Sequence, residues 1–366
     1  MEGVKYKLIS DDFATLNYQD PVRPNTPDVV YNPLYQETVL KYSQENCAGY
    51  RKSLLKIFKG DEPAYYIAKS FCDVLPLHDI NWVLGPLSYT EIIIPNSSKK
   101  IGIFGEIHNV NLIGMSQQDS VTMSSFLLAI GDAFPSRRYD ILVEIDCEDV
   151  GLERESMGGS SPTISSIYAY FKDCMSESKR EKCDYNNLHF HTIDYRNVTK
   201  HIFSRRVYSP LCTEDDIKKI IKDKTVQEYA ESEIKNIIRY MNEDKNMQTS
   251  PILKDILDAT EKYLVGYYIN MKMQTYTDLQ VFLQVAYGEI LNMYTMTRIF
   301  SEDIGDNVIL YVGVSHEPRI RDFLVNKMNG VVTDHVFYRN TAKYALGDIP
   351  NFLAVYPIKT KSFLFV

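Results

Sequence analysis

The sequence predicts an α/β fold: a mostly parallel, mixed β-sheet flanked by helices, with an α-helical insertion before the last core strand and an extended N-terminal arm. Three observations carry this. Short apolar, β-branched runs recur at IGIF, YDILVEID (139–146), LHFHTID (188–194) and NVILYVG (307–313), each parted from the next by helical or loop sequence. The polar turn NSSKK lies between SYTEIIIP and KKIGIFGE, the pattern of a hairpin whose second strand is apolar enough to sit centrally in a sheet. A long stretch of helical periodicity fills the chain between the third run and the last.

Taken in order, residues 1–35 carry DPVRPNTPDVVYNP, whose prolines oppose helix and central strand, so an extended arm is expected. Residues 36–87 place Tyr42, Cys47, Tyr50, Leu54, Leu55 and Phe58 at helical spacing and are broken by KGDEP, which reads as two packing helices. The α/β core runs over 88–330. Within it SMGGSSPT (156–163) is a Gly/Ser-rich loop that follows the Glu144 strand. The helical insertion spans 213–302 and opens on Thr213, an N-cap with an acidic first turn. Residues 331–366 read as a C-terminal tail.

Composition bounds the function. With 366 residues and 45% hydrophobic content the chain can bury a sizeable core. A net charge of −8 with scattered basic residues argues against nucleic-acid binding. No window reaches the roughly 18–20 apolar residues of a membrane span, and MEGVKYKLISDDF lacks the apolar core of a secretion signal, so a soluble intracellular protein is expected. Cys47, Cys72, Cys147, Cys174, Cys183 and Cys212 form no C-x-x-C pair and read as reduced thiols.

In parallel sheets ligands sit beyond the carboxyl ends of the strands, and four polar signals fall there. Gly105-Glu-Ile-His108 sets Glu106 and His108 on one side of an extended segment, with Gly105 permitting a close approach. Gly313-Val-Ser-His316 repeats the order strand, Gly, x, x, His. Glu144 interrupts the apolar run ILVEID, with Asp146 two residues on and facing the same way. Asp194 and Arg196 close the strand LHFHTI. His108 and His316 are thereby expected to meet. Two imidazoles and several carboxylates can hold a divalent metal (Mn, Zn or Co) with an open position for water, or run general acid/base chemistry without one. Against this stands a structural reading: a G-x-x-H histidine can be a capped loop residue, and Glu144 can simply pair with Arg196, which would also explain Asp194. His189 and His191 share one strand face and are a further possible ligand pair.

The pieces IGIFGEIHN, DILVEID and VILYVGVSHEPRIRDFL resemble the superfamily that includes Tiki and TraB/PrgY proteins, erythromycin esterases and ChaN-like haem-binding proteins. NMYTMTRIF (292–300), ending in Arg and an aromatic, is similar to uncharacterised members from large DNA viruses. The resemblance covers roughly 88–330. It implies His108 and His316 as the paired histidines, with Glu106 and Glu144 as acids of the first motif and second strand. It further implies hydrolysis of a peptide or ester bond, metal-dependent in Tiki-like members and water-activating in esterase-like ones. Asn292 stands where the viral pattern has an acid. The expected protein is thus a virus-encoded hydrolase with Glu106, His108, His316 and Arg196 catalytic, Arg196 holding an anionic group or oxyanion, and His108, Glu144 and His316 as metal ligands. The rival is a non-catalytic virion or host-interaction protein that keeps the fold and self-associates, as a homodimer, through its arm or its tail YPIKTKSFLFV.

Overall fold

The computed structural model describes residues 7–8, 77, 80, 82–107, 120–146, 162–175, 180–181, 183, 185–196, 198–199, 213–337, 352–354 and 364. Most of the expected arm, most of the helical segment expected for 36–87, the loop at 156–161 and His108 lie outside these residues; the described end of that segment is not helix, since 82–84 and 86–87 belong to strands.

Among the described residues the strands are β1 (Lys7–Leu8), β2 (Trp82–Leu84), β3 (Pro86–Ile93), β4 (Lys100–Glu106), β5 (Ser120–Thr122), β6 (Tyr139–Asp146), β7 (Leu188–Asp194), β8 (Asn307–Gly313), β9 (Val331–Phe337) and β10 (Phe352–Ala354). Seven form one sheet in the order β1-β9-β3-β4-β8-β6-β7, and a smaller sheet runs β10-β2-β5. The large sheet is parallel across β4, β8, β6 and β7. It turns antiparallel where β3 meets β4 and β9. The mixed α/β architecture expected from the sequence is thus present, and β6, β7 and β8 coincide with their predicted runs.

Alternation along the central strands builds two cores, because successive side chains leave opposite faces. On one face Ile101, Ile103, Leu142, Val308, Leu310 and Val312 join the helical insertion. On the other, Phe104, Ile141, Val143, Ile145, Ile309 and Tyr311 pack with α1 (Met123–Ala133) and α2 (Pro162–Met175). Burial on both faces is why these strands read as unbroken apolar runs.

The insertion comprises α3 (Glu214–Ile221), α4 (Val226–Glu243), α5 (Leu253–Met271) and α6 (Tyr276–Ile299). Thr213, Thr225 and Thr275 each close a capping box with Asp216, Glu228 and Asp278. Such caps are worth about 1 kcal/mol each and set where the helices begin. After β8, the chain enters α7 (Glu317–Asn326), which has Pro318 in its first turn and His316 as N-cap.

Two expectations change. Residues 331–337 are not tail but a sheet strand, β9, paired antiparallel with β3, and 352–354 form β10. Asp334 and His335 masked the apolar alternation of VVTDHVF; within the sheet Thr90, paired with His335 in register, bonds that imidazole through its hydroxyl. Nor are all six cysteines thiols. Cys174, at the end of α2, is bonded to Cys183, with Cα atoms 4.8 Å apart. Nine positions separate the two, so the return of the chain after α2, not a short-spacing motif, brings them together.

Candidate functional site

The two G-x-x-H segments are neighbours. β4 and β8 run parallel with Glu106 opposite Gly313, and the Val314 N–H donates to the Glu106 carbonyl at 2.6 Å. Gly105 is required by this approach: a Cβ there would lie 2.5 Å from Ser88 Oγ and 3.2 Å from Val314 Cα. The two motifs therefore begin on adjacent strand ends, paired as far as Glu106 and Gly313. His108, and with it the distance between the two imidazoles, lies outside the described residues.

Glu144 is the centre of what the structure does bring together. It extends β6 past its last pairing with β8, which ends at Val143 and Tyr311. Its Oε2 accepts the Gly313 N–H at 2.7 Å, so the side chain takes over where the ladder stops. Its Oε1 accepts from Arg196 Nη2 at 2.9 Å and lies 3.7 Å from His316 Nε2. Glu144 and His316 are both buried. Arg196, half-buried at the end of β7, is itself gripped by Asp194, through Nε to Oδ1 at 2.7 Å and Nη2 to Oδ2 at 2.8 Å. Burial pulls the Arg196 pKa down, but the Asp194 hydrogen bonds and the charges of Asp194 and Glu144 outweigh it and leave the guanidinium above its ordinary value. Arg196 was expected to hold an anionic substrate group; the hydrogen bonds described for its guanidinium are to Asp194 and to Glu144, which it orients. The alternative reading of the sequence, a Glu144–Arg196 ion pair that also explains Asp194, describes this contact correctly. Asp146 stands opposite Asp194 in register, past an irregularity in the β6–β7 pairing that begins at Val143.

The far side of His316 is built by α6. His316 Nδ1 and Asn292 Oδ1 are 2.8 Å apart. Asn292 Nδ2 donates to Glu289 Oε1 at 2.6 Å, and Glu289 Oε2 accepts from Arg319 Nε at 3.0 Å. Burial raises the Glu289 carboxyl above its ordinary value, and the Arg319 charge together with the Asn292 and Arg319 hydrogen bonds offsets this only in part. Gly288 faces His316 Cε1, where a Cβ would sit at 3.7 Å. Tyr287 stacks its ring 5.8 Å from the Arg196 guanidinium carbon and donates to the Arg196 carbonyl. Tyr287, Gly288, Glu289 and Asn292 were not singled out as site residues. Their signal is polar residues inside the apolar helix LQVAYGEILNMYTM, since a buried Glu and Asn must find partners. Asn292, where an acid was expected, is thus a direct partner of the histidine.

Glu106 is elsewhere. It shares a strand face with Phe104, opposite to that of Ile101 and Ile103, and its Oε2 accepts from Tyr311 Oη at 2.6 Å on the α1/α2 side. Burial, then the Glu106 charge and hydrogen bond, raise the Tyr311 phenol well above its ordinary value. The expectation that Glu106 and Glu144 surround one water or metal is corrected by this alternation. His189 and His191 do share a face, but they do not make a ligand pair: His191 Nε2 is 2.8 Å from Asp140, and His189 meets Arg180 and the Asn186 carbonyl.

Among the described residues no group of three or more His, Cys, Asp or Glu side chains is placed to hold a metal ion. Of the expected ligands, Glu144 and His316 do not fit a divalent cation by themselves. Both Glu144 oxygens already accept hydrogen bonds, one from a guanidinium whose charge would repel the metal. No helix among the described residues is long and apolar enough to cross a membrane. Compared with known proteins, the chain matches no family model, no curated sequence and no solved structure.

Proposed function

We propose that the chain is a water-activating hydrolase of the superfamily that includes Tiki proteins and erythromycin esterases, encoded by a large DNA virus and acting on a peptide or ester bond. The observation that carries this reading is the approach of His316 Nε2 to Glu144 Oε1, 3.7 Å, at the carboxyl ends of β8 and β6. That distance is too long for a hydrogen bond and short enough for both groups to contact one water. In the reaction, His316 Nε2 takes a proton from that water as its oxygen attacks the carbonyl carbon. Glu144 stabilises the imidazolium that forms, and the proton then passes to the leaving amine or alcohol. Arg196 and the Gly313 N–H hold the Glu144 carboxyl in place. The family, the viral origin and the bond class rest on the motif resemblance; the pairing of base and carboxylate rests on the geometry.

A second reading has a specific observation behind it. Glu144 is already bonded by Arg196 and Gly313, as a purely structural ion pair would be, which fits a non-catalytic virion or host-interaction protein. A panel of chromogenic esters and fluorogenic peptides, assayed with and without chelator, separates the two. Turnover that survives chelation supports the proposal. Turnover abolished by chelation and restored by manganese, zinc or cobalt replaces it with the metal-dependent variant, and a folded protein inert across the panel favours the second reading.

A further inference from the structure

Which nitrogen of His316 carries the proton decides what the ring can do. Paired with the Arg319 guanidinium as a carboxylate, Glu289 offers acceptors on both oxygens. The atom of Asn292 that meets it at 2.6 Å must then be the amide NH₂, and this turns Asn292 Oδ1 toward His316 Nδ1 at 2.8 Å. A carbonyl oxygen needs a donor, so Nδ1 bears the hydrogen, and in the neutral ring Nε2 then carries the lone pair. We infer that Glu289 and Asn292 are positioning residues that lock His316 in the Nδ1–H tautomer and present its Nε2 lone pair beside Glu144. The inference rests on the proposed role of His316 only for its functional meaning; the tautomer itself follows from the hydrogen bonds.

The chain of contacts spans three elements. Arg319 on α7 is fixed by Glu289, by a hydrogen bond from Nη2 to the Ala259 carbonyl on α5 and by stacking over Tyr263, 4.5 Å from its ring centre. Among the described residues, the charged and titratable groups in contact with this histidine and its partners include Glu144 from β6, Arg196 from the end of β7, Glu289 from α6 and Arg319 from α7. An Asn serves better here than an acid: it orients the ring without adding a charge that would hold it permanently protonated.

The test is long-range proton–nitrogen correlation NMR on full-length protein labelled with nitrogen-15 in histidine, at alkaline pH where the ring is neutral, with His316→Gln assigning the signal. The expected spectrum has His316 Nδ1 of the protonated type and Nε2 of the unprotonated type. Asn292→Asp should keep that pattern, while Asn292→Leu should lose it in favour of a mixture or the Nε2–H form. An Nε2–H signal in the unsubstituted protein, which requires a flipped Asn292 amide against a protonated Glu289, overturns the inference. If the tautomer is as stated and turnover is indifferent to His316, the proposed function fails while the inference stands. The converse result separates them the other way.

Discussion

Glu106 and Glu144 lie at or near the carboxyl ends of two strands in the parallel part of one mixed sheet and point to opposite faces of it: Glu106 binds the Tyr311 hydroxyl under α1 and α2, and Glu144 meets Arg196 and His316 beneath the helical insertion. The two carboxylates therefore have separable jobs. Glu106→Ala is expected to cost about 2 kcal/mol, the range for losing a hydrogen bond to a charged group and leaving a phenol buried. Turnover per folded molecule should be unchanged. Urea unfolding and an active-fraction-corrected assay check both; loss of turnover without loss of stability would put Glu106 back among the catalytic groups.

Arg196 tests the ion pair. Arg196→Met leaves Glu144 buried with one partner fewer and should destabilise the protein by about 3 kcal/mol. Adding Glu144→Gln to that variant should recover part of the loss, because the uncompensated charge is gone. A double-mutant cycle read by urea denaturation gives the coupling; additive losses would mean the pair contributes no mutual stabilisation.

His335 sets a pH dependence. Burial, then the Arg321 charge, lower its pKa from 6.5 to about 4. The unfolded chain therefore binds a proton there that the folded chain refuses between those values. The folded state has its full stability above pH 6.5 and loses it as pH falls towards 4, by about 1–2 kcal/mol after solvent screening. His335→Gln, which keeps a hydrogen-bonding side chain for Thr90, should flatten the profile over that window; an unaltered profile would show that other groups set it.

The Cys174–Cys183 bond closes a loop of nine positions. In the chain-entropy account that is worth about 2–3 kcal/mol. Reductant or Cys183→Ser should lower the melting temperature accordingly, and a thiol count under denaturing, non-reducing conditions should find four of the six cysteines. Six titratable thiols in protein kept from reductant would contradict the pairing.

Much of the fold was legible because its strands are buried on both faces: β6, β7 and β8 announce themselves as apolar runs, and capping chemistry at Thr213 marks the insertion. β9 was not legible, since Asp334 and His335 sit in its middle and their partners come from a strand more than two hundred residues earlier. In the site, Glu144, Arg196 and His316 stood out as polar groups ending apolar strands. Glu289 and Asn292 did not, because an isolated helix does not reveal which polar residue will be buried against a histidine. The Cys174–Cys183 pairing is likewise a product of where the chain returns after α2.

The account rests on Glu144 and His316 acting together. The direct measurement is the rate of hydrolysis of the best ester or peptide substrate by the wild type, Glu144→Gln, His316→Gln and the double variant, each verified as folded. General acid/base work of this kind contributes roughly 10²- to 10⁴-fold. Each single variant is expected to fall by that order and the double variant hardly further, since groups acting as one unit are not additive. Single variants that retain wild-type rates while only their melting temperatures fall would contradict it.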